Sequence, residues 1–146
     1  MIEPTIHATC VALDGKGLLL RGPSAAGKSD LALRLIEAGA TLVADDRVIL
    51  RAADGRVTAS PPKNLAGYIE VRGVGVVEMA HIAVCTVALV VDLVGPDHID
   101  RLPEPREEEL EGIRIAHLRL DPFEISAPAK VKLALDVAVK KRRLKQ

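Results

Sequence analysis

"GLLLRGPSAAGKSDLALRLIEAG", residues 17–39, changes its hydrophobic period once, and the fold turns on that change. "GLLLRG" is an apolar run of strand length that follows directly on an Asp14-Gly15 turn. From Lys28 the spacing becomes helical: Leu31, Leu35 and Ala38 fall on one stripe, with Ala32 and Ile36 beside it. Gly39 stands where a helix C-cap needs a residue that takes left-handed backbone freely. Between strand and helix, Gly22-x-x-x-x-Gly27-Lys28-Ser29 matches G-x-x-x-x-G-K-[ST] in full. Its glycines let the chain curl so that successive N–H groups form an anion nest. The helix that follows points its positive end at the same place. The expected nucleotide-binding residues are therefore Gly22, Pro23, Ser24, Ala25, Ala26, Gly27, Lys28 and Ser29. Lys28 would reach the β- and γ-phosphates, and the Ser29 hydroxyl would serve Mg²⁺. A chance Gly/Ser turn is the plainer alternative, and the strand–loop–helix context argues against it.

The rest of the composition narrows what such a loop serves. A chain of 146 residues that is 49% hydrophobic suits one domain, residues 1–146, with an aliphatic core. The formal net charge is zero, so no overall field draws the chain to DNA or to an anionic membrane. Tyr68 and Phe123 are the only aromatics, too few for a single-strand stacking surface. Cys10, Cys85 and the four histidines show no metal-ligand spacing. The stretch "MIEPTIHATC" has no apolar leader segment, and the longest apolar run, "IAVCTVALVV", falls short of the ~20 residues of a membrane span. A cytoplasmic protein is expected.

Around the glycine loop the sequence reads as alternating strands and turns. "CVALDGKGLLLRG" and "RVILRAADGRVTAS" are hairpins about Asp-Gly. "TLVADD" is a buried strand ending in two carboxylates, and "PPKNLAG" a loop with a short helical turn. "YIEVRGVGVVEMA" alternates and holds two glycines. "VCTVALVVDLVG" is apolar enough for a central strand covered on both faces. "PDHIDRLPEPREEELEG" reads as an exposed connection and "IRIAHLRL" as a strand. A helix from about Pro128 ends the chain, so that residues 130–146 comprise helix and basic tail. The tail "KKRRLK" complements its own helix dipole, docks an acidic partner or neighbouring subunit, or, least in keeping with a neutral chain, meets nucleic acid. The expected class is α/β: a mixed β-sheet carrying a P-loop, with flanking helices.

A phosphate loop needs a carboxylate at a neighbouring strand end to hold the metal or its water. Asp45 and Asp46 offer one solution and Asp92, at the end of "ALVVD", another. The adjacent pair is favoured, because two neighbouring carboxylates repel and a metal or cationic clamp relieves that repulsion. Asp46 pairing simply with Arg47 is the plainer reading.

Three stretches in order, "GPSAAGKSDLALRLIEAG", "TLVADDRV" and "YIEVRGVGVVEM", resemble the HPr kinase/phosphorylase family in its C-terminal catalytic domain, in a short form without the N-terminal domain. "HIDRL" and His7 are similar to further family features. The resemblance implies a serine kinase of an HPr-like phosphocarrier protein, using ATP and Mg²⁺ and regulating the phosphotransferase system. It also implies the reverse removal of that phosphate by phosphorolysis, giving pyrophosphate, and a homo-oligomer. On the same basis Asp45 acts as base and acid at the serine hydroxyl, with Asp46 assisting. Glu70 helps Ser29 hold the metal, Arg101 favours phosphorolysis, and His7 lies near the phosphates. The plainer reading of Glu70 and Arg72 is a surface pair on an edge strand, and of Arg101 a solvated loop arginine. One departure stands out: where the family has a proline-rich loop ending in Gly-Arg-Asn, tied to phosphorolysis and subunit contacts, this chain reads "ISAPAKVKLAL". Two other readings remain. A small-metabolite kinase would want an arginine-rich lid, but "EPREEELEG" is acidic; a non-catalytic ATP sensor has no need of the Asp45-Asp46 pair.

Overall fold

Asp14 and Gly15 both take left-handed backbone, φ 52° and 76°, and so fold β1 (Thr5–Leu13) back on β2 (Lys16–Arg21) as an antiparallel hairpin. Asp54 and Gly55, at φ 54° and 74°, do the same for β4 (Arg47–Ala53) and β5 (Arg56–Ser60). These elements belong to a computed structural model that describes residues 4–145. The first three residues of the N-terminal stretch read above lie outside it, as does Gln146.

The remaining strands are β3 (Thr41–Ala44), β6 (Tyr68–Val71), β7 (Gly75–Glu78), β8 (Cys85–Leu93), β9 (Arg106–Leu110) and β10 (Ile113–Leu120); the helices are α1 (Lys28–Glu37) and α2 (Ala127–Ala138). β2 is central to the architecture, antiparallel to β1 on one edge and parallel to β8 on the other. Through β1, β4, β5 and β8 the sheet returns to β2 and closes on itself. Two extensions leave this ring. β3 continues the line of β4 along β1, and β10 runs parallel to β8 with β9 antiparallel outside it. β6 and β7 form a separate hairpin.

Alternation along β1 divides the core in two. Val11 and Leu13 face a cluster that includes Leu31 and Leu35 of α1 and Val131 and Leu135 of α2. Ala8, Cys10 and Ala12 face the opposite cluster, with Val48, Val57 and Val90, inside the curled sheet. Both helices thus pack on one face of the sheet, while the second core is all strand. The α1 terminus follows its sequence signal. Gly39, at φ 113°, donates to Ile36 O at 3.0 Å and Ala40 to Leu35 O at 2.9 Å, the paired bonds of a Schellman motif.

One boundary differs from expectation, and two others gain detail. Residues 106–110 are a strand rather than part of an exposed connection: Arg106-Glu-Glu-Glu-Leu110 pairs with β10 along the outer edge. Charge disguised it, since an edge strand exposes most of its side chains. "YIEVRGVGVVEM" is two strands joined by a turn at its two glycines, Gly73 and Gly75, which take positive φ of 85° and 132°. The last helix begins at Ala127 with Pro128 in its first turn, and it stops at Ala138. Beyond it, Arg142 pairs with Asp136 at 3.1 Å and the Lys141 and Arg142 N–H groups return to Asp136 O, which ties the first basic residues of the tail to the helix's own end.

Candidate functional site

The loop between β2 and α1 is built around a bent-back lysine. Ala25 and Gly27 both have positive φ, 67° and 95°, and carry the chain around into the helix. Lys28 is only 7% exposed, and its ammonium donates to the carbonyls of Gly22 at 2.7 Å and Pro23 at 2.9 Å. Burial lowers the ammonium's pKa, while the charges of Asp46 and Asp45 pull it upward. The cation is thus held over the loop and beside the carboxylates.

Those carboxylates come from the break between β3 and β4. The pairs Cys10–Ala44 and His7–Arg47 leave residues 45–46 opposite residues 8–9 of β1. There the chain makes a γ-turn: Arg47 N–H donates to Asp45 O at 2.8 Å across Asp46, which sits at φ 71°. The turn sends the two neighbouring side chains to different tasks. Asp45 is 5% exposed and accepts three hydrogen bonds. Thr9 Oγ1 and Ser29 Oγ both donate to its Oδ1 at 2.8 Å, and Glu70 N–H donates to its Oδ2 at 2.9 Å. Asp46 is exposed and bonds His7 Nε2 through Oδ1 at 2.8 Å. The Ser29–Asp45 bond joins loop and strand end into one site.

A cleft of about 450 Å³ lies over these residues. His7, Ser24, Ala25, Gly27, Lys28 and Ser29 line it from the sheet and loop. Asp46 and Glu70 also line it, the latter with its neighbour Arg72 from the β6–β7 hairpin. Asp45 lies beneath, touching Ser29. Arg101 is exposed in the connection ahead of β9 and is not part of the cleft lining. Asp92, the other candidate carboxylate, is committed elsewhere. Arg21 grips both its oxygens, at 2.8 and 2.9 Å, and His117 Nε2 lies 2.7 Å from Oδ2. Burial works against the Asp92 charge, but the bonds and charges of Arg21 and His117 outweigh it and hold its pKa below the usual value. Arg21 also reaches Glu108 at 2.6 Å.

The profile of the HPr Serine kinase C-terminal domain family matches residues 2–146. The chain belongs to this family. The HPr kinase/phosphorylase of Streptococcus thermophilus (strain CNRZ 1066) is 32% identical over 154 residues, covering 97% of this chain and 49% of the relative. That of Clostridium botulinum (strain Eklund 17B / Type B) is 40% identical over 80 residues, 55% of this chain and 26% of the relative. The chain thus spans from about a quarter to about half the length of these curated relatives. Among solved structures, the Hpr(Ser) kinase/phosphatase from Coxiella burnetii aligns with TM-score 0.83 and 27% identity, over 95% of this chain and 98% of that one.

Three residues of this cleft were not given a role in it from the sequence. Thr9 is a fully buried hydroxyl flanked by the apolar Ala8 and Cys10, and its partner is 36 residues away. A threonine at a position whose neighbours alternate into the core was the available signal. Arg72 follows Glu70 by two residues on the hairpin and so lines the same cleft. Phe123 lies in the loop between β10 and α2, against Gly27. Its rarity in the sequence was the one hint.

Proposed function

We propose that this chain is a protein serine kinase domain that transfers the γ-phosphoryl group of ATP, with Mg²⁺, to a serine of an HPr-like phosphocarrier protein in the cytoplasm. The observation that carries this reading is the 2.8 Å bond between Ser29 of the glycine loop and the buried Asp45. It puts a phosphate-loop hydroxyl and a fixed carboxylate in contact, which a lone anion nest does not require.

Residues 22–29 would cradle the phosphates, with Lys28 swinging from its carbonyl partners to the β- and γ-oxygens. Ser29 and Glu70 are both oxygen donors and suit a small hard cation. Magnesium held there would neutralise charge on the phosphates. A serine hydroxyl entering from the Asp46 side would give its proton to Asp45 as its oxygen bonds to phosphorus and the bond to ADP breaks. Thr9 and the Glu70 N–H fix that carboxylate, and His7 orients Asp46. The relatives' names also speak of phosphorylase and phosphatase activity. In that direction phosphate attacks the phosphoserine, Asp45 returns the proton to the departing serine oxygen, and pyrophosphate leaves. Arg72, unlike Arg101, lines the cleft and is positioned to meet these anions.

The test is incubation with ATP, Mg²⁺ and an HPr-like carrier, read by mass spectrometry for phosphoserine. ATP binding without any transfer overturns the kinase reading. Pyrophosphate release from phosphorylated carrier upon adding phosphate tests the reverse reaction.

A further inference from the structure

β2 has β1 on one side and β8, followed by β10, on the other. The glycine loop leaves β2 between these two sides. The side of β1 and its neighbour β3 carries His7, Thr9, Asp45 and Asp46, so an acceptor hydroxyl belongs there. A phosphate chain laid across the loop must then send its nucleoside the other way. β2, β8 and β10 are mutually parallel neighbours, and ligands in such sheets lie beyond the carboxyl ends of the strands. The segment at the carboxyl end of β10 is residues 121–126.

This segment is tied down at several points. Arg34 of α1 donates to the carbonyls of Pro122 and Glu124, Phe123 N–H donates to Asp121 Oδ1 at 3.0 Å, and Lys130 holds Glu124 at 2.8 Å. Pro122 is buried beneath it. What the segment presents to the cleft is Phe123, which adjoins Gly27: a Cβ built on that glycine would stand 3.4 Å from the ring. Phe123 is nevertheless 72% exposed, although the chain has only one other aromatic residue. An exposed flat ring on an anchored loop, on the lip of a phosphate cleft, matches what a base requires for stacking.

We propose that Phe123 is the stacking platform for the base of the bound nucleotide. The proposal rests on the reading of residues 22–29 as a nucleotide phosphate loop. The experiment measures dissociation constants of Mg-ATP and of Mg-tripolyphosphate, which has the phosphates without a base, for the wild type and for Phe123→Ala and Phe123→Trp. Phe123→Ala should weaken ATP about fivefold to a hundredfold, the range that ~1–3 kcal/mol of stacking corresponds to, and leave tripolyphosphate within about twofold. Phe123→Trp should retain ATP affinity. As the chain's sole tryptophan, its emission should be quenched by ATP and not by tripolyphosphate. Equal losses for both ligands in Phe123→Ala would mean that the ring only supports Gly27, and the proposal falls. It also falls if ATP affinity is unchanged and only transfer to the carrier drops, which makes the ring a protein-docking residue. Wild type that binds tripolyphosphate as tightly as ATP sinks the base platform alone. Wild type that binds neither sinks the phosphate loop, and the platform with it.

Discussion

At Asp45 three neutral donors converge on one buried carboxylate, and each comes from a different element. Such a group is oriented before any substrate arrives, which is the condition for accepting a proton along a fixed line. Asp45→Asn keeps the shape and removes the basicity. We expect phosphoserine formation to fall by about 10²–10⁴-fold while ATP affinity stays within about threefold, measured by mass spectrometry and calorimetry. Transfer that survives would show that another group takes the proton. Thr9→Val deletes a buried donor and leaves Oδ1 with Ser29 alone of its two partners. This variant should lose about 1–3 kcal/mol in urea unfolding and turn over more slowly. Of these residues the sequence announced Lys28, Ser29 and Asp45, because a spacing rule and a pair of adjacent acids stand out in one dimension. Thr9 offered only a hydroxyl among core-facing neighbours, since its role exists only once β1 and β3 are in register.

Among the elements, the β2–β8 contact bears the most structural consequence, because it closes the sheet beneath the glycine loop. Gly17 permits it: a Cβ there would stand 2.7 Å from Cys85 Sγ and 2.8 Å from Thr86 O, and the register shifts just after it. Cys85 in turn lies 3.6 Å from Cys10 Sγ, so the sulfur has little room to retreat. Gly17→Ala should cost about 1–3 kcal/mol by thermal or urea unfolding. An unchanged midpoint would mean that the strands separate more easily than their packing indicates. Most elements could be read from the sequence because hairpin turns and the helical stripe are local signals. β9 could not. Its strand character comes from pairing with β10, and its side chains, Glu107 and Glu109 among them, are those of a loop. The Glu111-Gly112 turn, at φ 51° and 80°, was the local clue.

For the whole molecule, the cluster of Arg21, Asp92, Glu108 and His117 links β2, β8, β9 and β10 and makes folding sensitive to acid. Asp92 has its pKa lowered in the folded state, so its contribution is complete above the unfolded value of about 3.9 and drains away as pH falls through the folded one. Urea titrations of wild type and Asp92→Asn should therefore differ most near neutrality and converge in strong acid. A constant gap across that range would deny Asp92 the role. The same outer strand has a second consequence. Closure of the ring still leaves β9 as an outer flank of the sheet, paired only to β10. Glu107 and Glu109 are both exposed on it, while Glu108 between them is drawn to Arg21. Another polypeptide approaching to add a strand would meet like charges at alternate positions. The acids that hid this strand from a reader of the sequence also defend the molecule against aggregation.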